Sequence, residues 1–90
     1  MIFAVDPVTR PTTKAVTLAW DPNPETDIAG YKVYVGTKSG RYGPPISLGN
    51  VTTYTFANLE PGSTYYFVVT AYDKSGNESS PSSEVSTTLE

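Results

Sequence analysis

The 90-residue chain contains no cysteine and no histidine, and each absence removes a class of chemistry. Without cysteine there are no disulfides, no thiol nucleophile and no thiolate ligand for a metal ion. Without histidine the chain lacks the commonest general base, the commonest metal ligand and the side chain that titrates near neutral pH. Nucleophilic triads built on histidine are therefore excluded. The two Lys-Ser pairs, at 38–39 and 74–75, lie in glycine-flanked loops rather than in a dry cleft.

Positive charge is also scarce, since six Lys and Arg residues are spread singly along a chain of net charge −3. No basic stripe is present to neutralise phosphates, so we expect no nucleic-acid partner. No apolar run approaches the roughly 20 residues needed to span a bilayer, so we expect no membrane insertion. The first five residues are too short for a signal peptide. Met1 and the final Leu89-Glu90 could be cloning remnants of a piece cut from a longer protein.

Apolar residues recur at every second position, which is the pattern of half-buried β-strands. The segments 16–20 and 65–71 show it most clearly, and no window carries a helical stripe of useful length. Clusters of Pro, Gly, Asn and Asp separate the alternating runs and predict turns. The pattern predicts seven strands, at about 3–8, 14–20, 31–36, 45–48, 53–57, 64–72 and 83–88. Pro7 and Pro11 interrupt the first, which suits an edge strand.

Four short motifs, in their order and spacing, resemble the fibronectin type III domain. They are Val16-Thr17-Leu18-Ala19-Trp20-Asp21-Pro22, Gly30-Tyr31-Lys32-Val33, Leu59-Glu60-Pro61-Gly62-Ser63-Thr64-Tyr65 and Val69-Thr70-Ala71-Tyr72-Asp73. The resemblance runs from about Val16 to Thr88. It implies an all-β fold, a seven-stranded antiparallel immunoglobulin-like β-sandwich, in which the first, second and fifth strands face the other four. We expect one domain over 1–90, with its core at 14–88.

The resemblance also implies how the core is built. Trp20 is expected to fill the space between the sheets with the largest buried side chain. Tyr65 follows Leu59 by six residues, a spacing that resembles the tyrosine corner, in which the hydroxyl bonds to backbone a few residues upstream. The predicted core residues are Trp20, Tyr31, Val33, Phe56, Leu59, Tyr65, Phe67 and Val69.

An acidic cluster is the first candidate site. Two loops that share one end of this topology carry carboxylates, and oxygen ligands of this kind bind calcium in other proteins. The candidates are Asp21, Glu25 and Asp27 in one loop, and Asp73 and Glu78, together with Asn77, in the other. Their spacing fits no EF-hand, and the alternative is a set of solvated carboxylates that make turns. No metal and no cofactor is therefore expected.

An exposed tyrosine face is the second candidate site. If Tyr65 and Phe67 point inward, then Tyr66, Val68 and Tyr72 point outward, and Tyr34 does so from the neighbouring strand. Three tyrosines on one face could stack sugar rings or a partner's apolar side chains. The alternative is cross-strand packing that stabilises the sheet without a ligand.

These residues favour a module that does no catalysis. A carboxylate pair of the glycosidase kind is conceivable in the acidic loops, but a domain this small offers no cleft to hold it. Residues 34–42 resemble bacterial members of the family, which occur as modules of large secreted or cell-surface proteins. The expected role is that of a structural spacer in an extracellular, multidomain protein, whose partners are the neighbouring domains. The alternative is a binding module for a polysaccharide or protein, through the tyrosine face or the loops.

Overall fold

The computed structural model describes residues 8–12, 15–24, 26–57 and 59–89, the first range by its backbone alone. The described residues form seven strands, β1 Val8–Thr12, β2 Ala15–Ala19, β3 Ile28–Gly36, β4 Ile46–Leu48, β5 Thr53–Phe56, β6 Thr64–Asp73 and β7 Val85–Thr88. All pairings are antiparallel, with order β1-β2-β5 in one sheet and β4-β3-β6-β7 in the other. The predicted division of the strands between two sheets is confirmed. Across the described ranges, no helix has the length and apolarity to cross a membrane.

The largest differences from the predicted strand limits are in β1 and β3, and the other limits agree within two residues. The first strand lies at Val8–Thr12, and the predicted residues 3–7 fall outside the described ones. It continues through Pro11, which is tolerated because β1 is an edge strand with one unpaired side. β3 begins at Ile28, three residues before the predicted start. The register between β3 and β6 shifts between Ile28 and Gly30, so the strand continues through a glycine that looks like a turn residue.

The core lies between the sheets, where alternate side chains of β2, β3 and β6 meet. Two ring contacts join the layers: Trp20 and Tyr31 have centroids 5.5 Å apart, and those of Phe56 and Phe67 lie 5.0 Å apart. Seven of the eight predicted core residues are buried, and Leu59 is half-buried against them. Leu89, outside the predicted core limits of 14–88, is only 2% exposed and belongs to the same cluster.

The connection from β5 to β6 crosses between the sheets and is held at a corner. The hydroxyl of Tyr65 accepts the backbone N–H of Glu60 at 2.9 Å. Further bonds join Leu89 to the same corner, since Gly62 N–H donates to its carbonyl and its own N–H donates to Ser63. The corner therefore sets where β6 starts and where β7 ends.

Beyond β7, the edge of β6 is paired by the backbone and side chains of two serines rather than by a regular strand. Ser79 and Ser82 each donate a backbone N–H to a β6 carbonyl, at Ala71 and Val69, over 2.8 Å. Each serine hydroxyl then accepts the N–H of that same β6 residue at 2.9 Å. Pro81, which has no N–H to donate, lies between them. This serine-paired segment, residues 77–84, passes over the β6 edge and brings two glutamates to the outer face of the sheet.

Candidate functional site

The outer face of the four-stranded sheet carries the predicted tyrosines. In β6 the inward residues Tyr65, Phe67, Val69 and Ala71 are buried, so Tyr66, Val68, Thr70 and Tyr72 occupy the opposite face. Tyr34 lies opposite Val68 in the register of β3 with β6, and Lys32 lies opposite Thr70. Tyr34, Tyr66 and Tyr72 are all half-buried rather than open to solvent. Val68 is covered, with 5% exposure, although it points away from the core.

Glu78 organises the middle of this face. Its Oε2 accepts the hydroxyl of Tyr34 at 2.5 Å and that of Thr70 at 2.7 Å, and Lys32 Nζ lies 3.6 Å from its Oε1. Desolvation raises the pKa of Glu78, but the hydrogen bonds and the lysine charge together lower it below its usual range. Desolvation and the hydrogen bond to Glu78 both raise the pKa of Tyr34. The pair is therefore an ionised carboxylate and a neutral phenol at neutral pH.

Glu84 ties down the loop between β3 and β4. Its carboxylate accepts the hydroxyl of Ser39 at 2.6 Å, the N–H of Gly40 at 2.9 Å and the hydroxyl of Tyr42. These donors, led by Ser39 and Tyr42, lower the pKa of Glu84. Burial and the bond to Glu84 raise the pKa of Tyr42. The loop also closes on itself, since Gly43 N–H donates to Val35.

Beside Glu78 lies a groove of about 260 Å³. Its lining consists of Tyr34, Tyr42, Val68, Thr70, Glu78, Ser79 and Pro81. The rings of Tyr34 and Tyr42 meet edge to face, with centroids 6.4 Å apart. Val68 shares this lining with both rings and with Pro81, and only 5% of it is exposed. The groove can hold a small apolar or amphipathic group beside a carboxylate.

The predicted set of three tyrosines is divided by the structure. Tyr34 lines the groove, but neither Tyr66 nor Tyr72 does. The hydroxyl of Tyr72 donates to the carbonyl of Leu48 at 2.6 Å, and Lys32 Nζ lies 5.6 Å from its ring centroid. Sequence reasoning missed Tyr42, which lies in a glycine-rich loop without any strand periodicity to indicate where its ring points.

The acidic candidates are only partly brought together. The two loops do meet, since Lys74 N–H donates to the carbonyl of Asp27 at 3.1 Å. Asp21 and Asp27 are exposed, Glu25 lies outside the described residues, and Glu78 belongs to the outer sheet face instead. Over the described ranges, no three acidic side chains are grouped so that they could hold a metal ion.

Asp73 accepts hydrogen bonds from the residues of the turn that follows it. Its carboxylate accepts the N–H of Ser75 at 3.0 Å and that of Asn77 at 2.8 Å, and the side-chain amide of Asn77 at 3.1 Å. The bonds from Asn77 are the main reason that the pKa of Asp73 is lowered. Asp73 thus closes the turn after β6, which is the turn-making role of an aspartate.

Comparison with known proteins gives a consistent match. The family model for the fibronectin type III domain matches residues 7–88. A Kelch domain-containing protein of Saccharolobus solfataricus is 43% identical over 75 residues, and a poly(3-hydroxybutyrate) depolymerase of Ralstonia pickettii is 37% identical over 81. These matches cover 83% and 90% of this chain but only 10% and 15% of the relatives. Part of a β-1,2-glucanase from Parabacteroides distasonis superposes with a TM-score of 0.86 at 27% identity, covering 99% of this chain and 13% of that one.

Proposed function

This chain belongs to the fibronectin type III domain family, and from that premise we propose that it is a non-catalytic spacer within a larger, extracellular multidomain protein. The relatives it matches are several times longer than the chain, so a domain of this kind occurs in larger proteins. The observation that carries the proposal is the placement of the two ends of the sandwich.

The described chain enters and leaves the sandwich at opposite poles. β1 starts with Val8 opposite Ala19, at the pole where β6 ends with Asp73. β7 ends with Thr88 opposite Thr64, at the pole where β6 begins. β6 has 10 residues, so the poles are about 30 Å apart at the rise of a β-strand. Domains attached at the two ends would be held apart by a folded unit.

The polar chemistry of the surface supports a role without catalysis. Three carboxylates that lie near other polar groups, those of Asp73, Glu78 and Glu84, all accept hydrogen bonds from this chain. Each holds a loop or a segment in place, and each has a lowered pKa. A general acid needs the opposite shift, because it must keep its proton near neutral pH.

The extracellular assignment and the partners are part of the same proposal. Two of the matched proteins are named for the degradation of polymers, a glucan and a polyester. The resemblance of residues 34–42 to modules of secreted and surface proteins supports the same location. The proposed partners are the neighbouring domains of the parent chain. Nucleic acid is not among them, because the net charge is −3.

The spacer role is tested by placing the chain between two folded reporter domains and measuring small-angle X-ray scattering. A matched control carries a Gly/Ser linker of 90 residues, whose ends wander over roughly 50 Å. We expect a narrow distribution of inter-reporter distances with the domain and a broad one with the linker. Equal breadth in the two fusions would show that the domain does not set the spacing.

A second candidate function is that of a binding module, and the groove between Tyr34 and Tyr42 favours it. The proposed ligand classes are a polysaccharide or a protein partner, and the proposed contact residues include Tyr66 and Tyr72 as well. NMR shift mapping against soluble polysaccharides and against calcium tests it. Localised shifts at the tyrosines or at the acidic loops would support binding, and unchanged spectra would favour the spacer.

A further inference from the structure

The two sheets leave four strand edges, at β1, β5, β4 and β7. An edge strand exposes backbone groups that can pair with another chain, and proteins usually protect it with a charge, a proline, a very short strand or a neighbouring element. β1 contains Arg10 and Pro11, and its backbone lies close to that of β7. β4 has 3 residues and follows Pro44-Pro45. The edges at β1, β7 and β4 therefore each carry one of these protections.

The edge at β5 carries none of them. The segment 51–57 contains no charged residue, no proline and no glycine, and six of its seven residues are β-branched or aromatic: Val51, Thr52, Thr53, Tyr54, Thr55, Phe56 and Ala57. Within the described ranges, β2 is the only strand whose backbone comes close to β5. Val51 is 46% exposed, which no other large hydrophobic residue of the described chain matches. A segment of this composition at an open edge favours pairing with a further strand.

The hydrogen bonds of β2 with β5 show which backbone groups face the open edge. Trp20 N–H donates to the carbonyl of Thr52 at 3.0 Å, one step beyond the register pair of Ala19 with Thr53. Hydrogen-bonded pairs alternate with non-bonded ones along an antiparallel ladder. The N–H and C=O groups of Thr53 and Thr55 therefore point away from β2, toward the side where the described chain places no strand.

The segment 51–57 is complementary to itself when two copies run antiparallel with their Tyr54 residues opposite each other. Thr53 of each copy then lies opposite Thr55 of the other, so that their outward N–H and C=O groups pair. Threonines opposite each other across two strands are a favourable pair. Val51 lies opposite Ala57, which covers its exposed side chain. No like charges meet along the segment, although each copy has a net charge of −3.

We propose that β5 pairs with β5 of a second copy of this chain, antiparallel and centred on Tyr54, and so joins the two three-stranded sheets into one continuous sheet. The contact is one strand wide and lies well below the roughly 1,200–2,000 Å² of a stable interface. The dimer is therefore weak, and its population rises with protein concentration. This inference does not depend on the spacer role, since a domain that sets a distance can also pair along one edge.

The test is a dilution series of the wild-type chain, followed by sedimentation equilibrium and by NMR of a ¹⁵N-labelled sample. We expect a monomer–dimer equilibrium in which the amides of Thr53 and Thr55 shift with concentration and exchange with solvent more slowly in the dimer. A mixture of labelled and unlabelled chains should give intermolecular contacts between these two residues. Raising the salt concentration should not weaken the dimer, because the paired segment carries no charge.

Two variants at one position locate the contact. Thr53→Pro removes an N–H that faces the open edge, which an edge strand tolerates, and should weaken the dimer at least about fivefold. Thr53→Val keeps that N–H and should dimerise like the wild type. The fluorescence of Trp20 in urea checks that both variants fold, and the wild-type dilution series needs neither of them.

Three results would overturn the proposal. One is a monomeric mass at every concentration. Another is a dimer whose concentration-dependent shifts lie at β1, β4, β7 or the outer face of the four-stranded sheet instead of at β5. The third is equal dimerisation of folded Thr53→Pro and Thr53→Val, since it would show that the N–H of residue 53 takes no part.

Discussion

Replacement of Ser82 by alanine removes a hydroxyl that stands in for a strand partner. The Oγ of Ser82 accepts the N–H of Val69 at 2.9 Å and donates to the carbonyl of Ser83 at 3.1 Å. Val69 is fully buried, and Ser82 is 9% exposed. The alanine variant keeps the backbone bond from residue 82 to the carbonyl of Val69. It leaves the N–H of Val69 inside the protein without its acceptor.

The expected loss of stability in Ser82→Ala follows from the unpaired N–H of Val69. A buried donor left without a partner costs about 1–3 kcal/mol. Each kcal/mol lowers the melting temperature of a domain of this size by roughly 4–8 °C. Ser82→Ala should therefore lower it by about 4–24 °C. A matched control is Ser80→Ala, because Ser80 is an exposed serine in the same segment, and its loss should change stability by less than about 0.5 kcal/mol.

The assays are thermal and urea denaturation, both followed by the fluorescence of Trp20, the only tryptophan, which is 5% exposed in the folded state. Both variants should unfold with the same slope in urea as the wild type, so that the midpoint reports stability. If Ser82→Ala and Ser80→Ala share one midpoint, the hydroxyl of Ser82 does not act as a strand partner for β6.

Three further outcomes are expected. Tyr65→Phe should cost about 1 kcal/mol in urea denaturation because it removes the acceptor at the corner before β6, whereas Tyr66→Phe should be neutral; equal costs would contradict the corner's role. Gly30→Ala should lower the free energy of unfolding by about 1–3 kcal/mol, because the alanine Cβ would lie 2.2 Å from a backbone oxygen of β4. Gly49→Ala, where a Cβ meets nothing within 4 Å, should be tolerated, and equal melting temperatures would refute the close approach. The pKa of Glu84 is lowered in the folded state, so the ionised carboxylate stabilises the folded protein. This contribution to the free energy of unfolding is fully present above the unfolded pKa of about 4.3 and is lost as the pH falls through the folded pKa. The stability difference between wild type and Glu84→Gln should therefore shrink below about pH 4, and a difference independent of pH would show that the ionised form is not favoured by folding.

The layered core could be predicted from the sequence because its cause is local. Burial of every second side chain follows from the geometry of a strand, so the alternation in 65–71 indicates both the strand and its inner face. Phe67 and Val69 are fully buried, as that alternation requires. The turns were predictable for a similar reason, since proline and glycine act on the backbone where they stand. The start of β3 was not, because Gly30 looks like a turn residue but serves a close approach to β4 and to Tyr72.

The outer face shows where such reasoning ends. Period two correctly places Tyr34 and Val68 on the face away from the core, and from that an exposed patch was expected. Val68 is instead only 5% exposed, and residues of the β3–β4 loop and of the serine-paired segment line the same groove. Glu84 and Tyr42, which hold these two pieces together, are 42 residues apart. Only the closed sandwich brings them into contact. An alternating pattern therefore predicts which face of the sheet a side chain occupies, but not whether other parts of the chain bury it there. For the same reason, the groove between Tyr34 and Tyr42 is a property of two connections rather than of any strand, and substitutions in those connections should alter it while leaving the core intact.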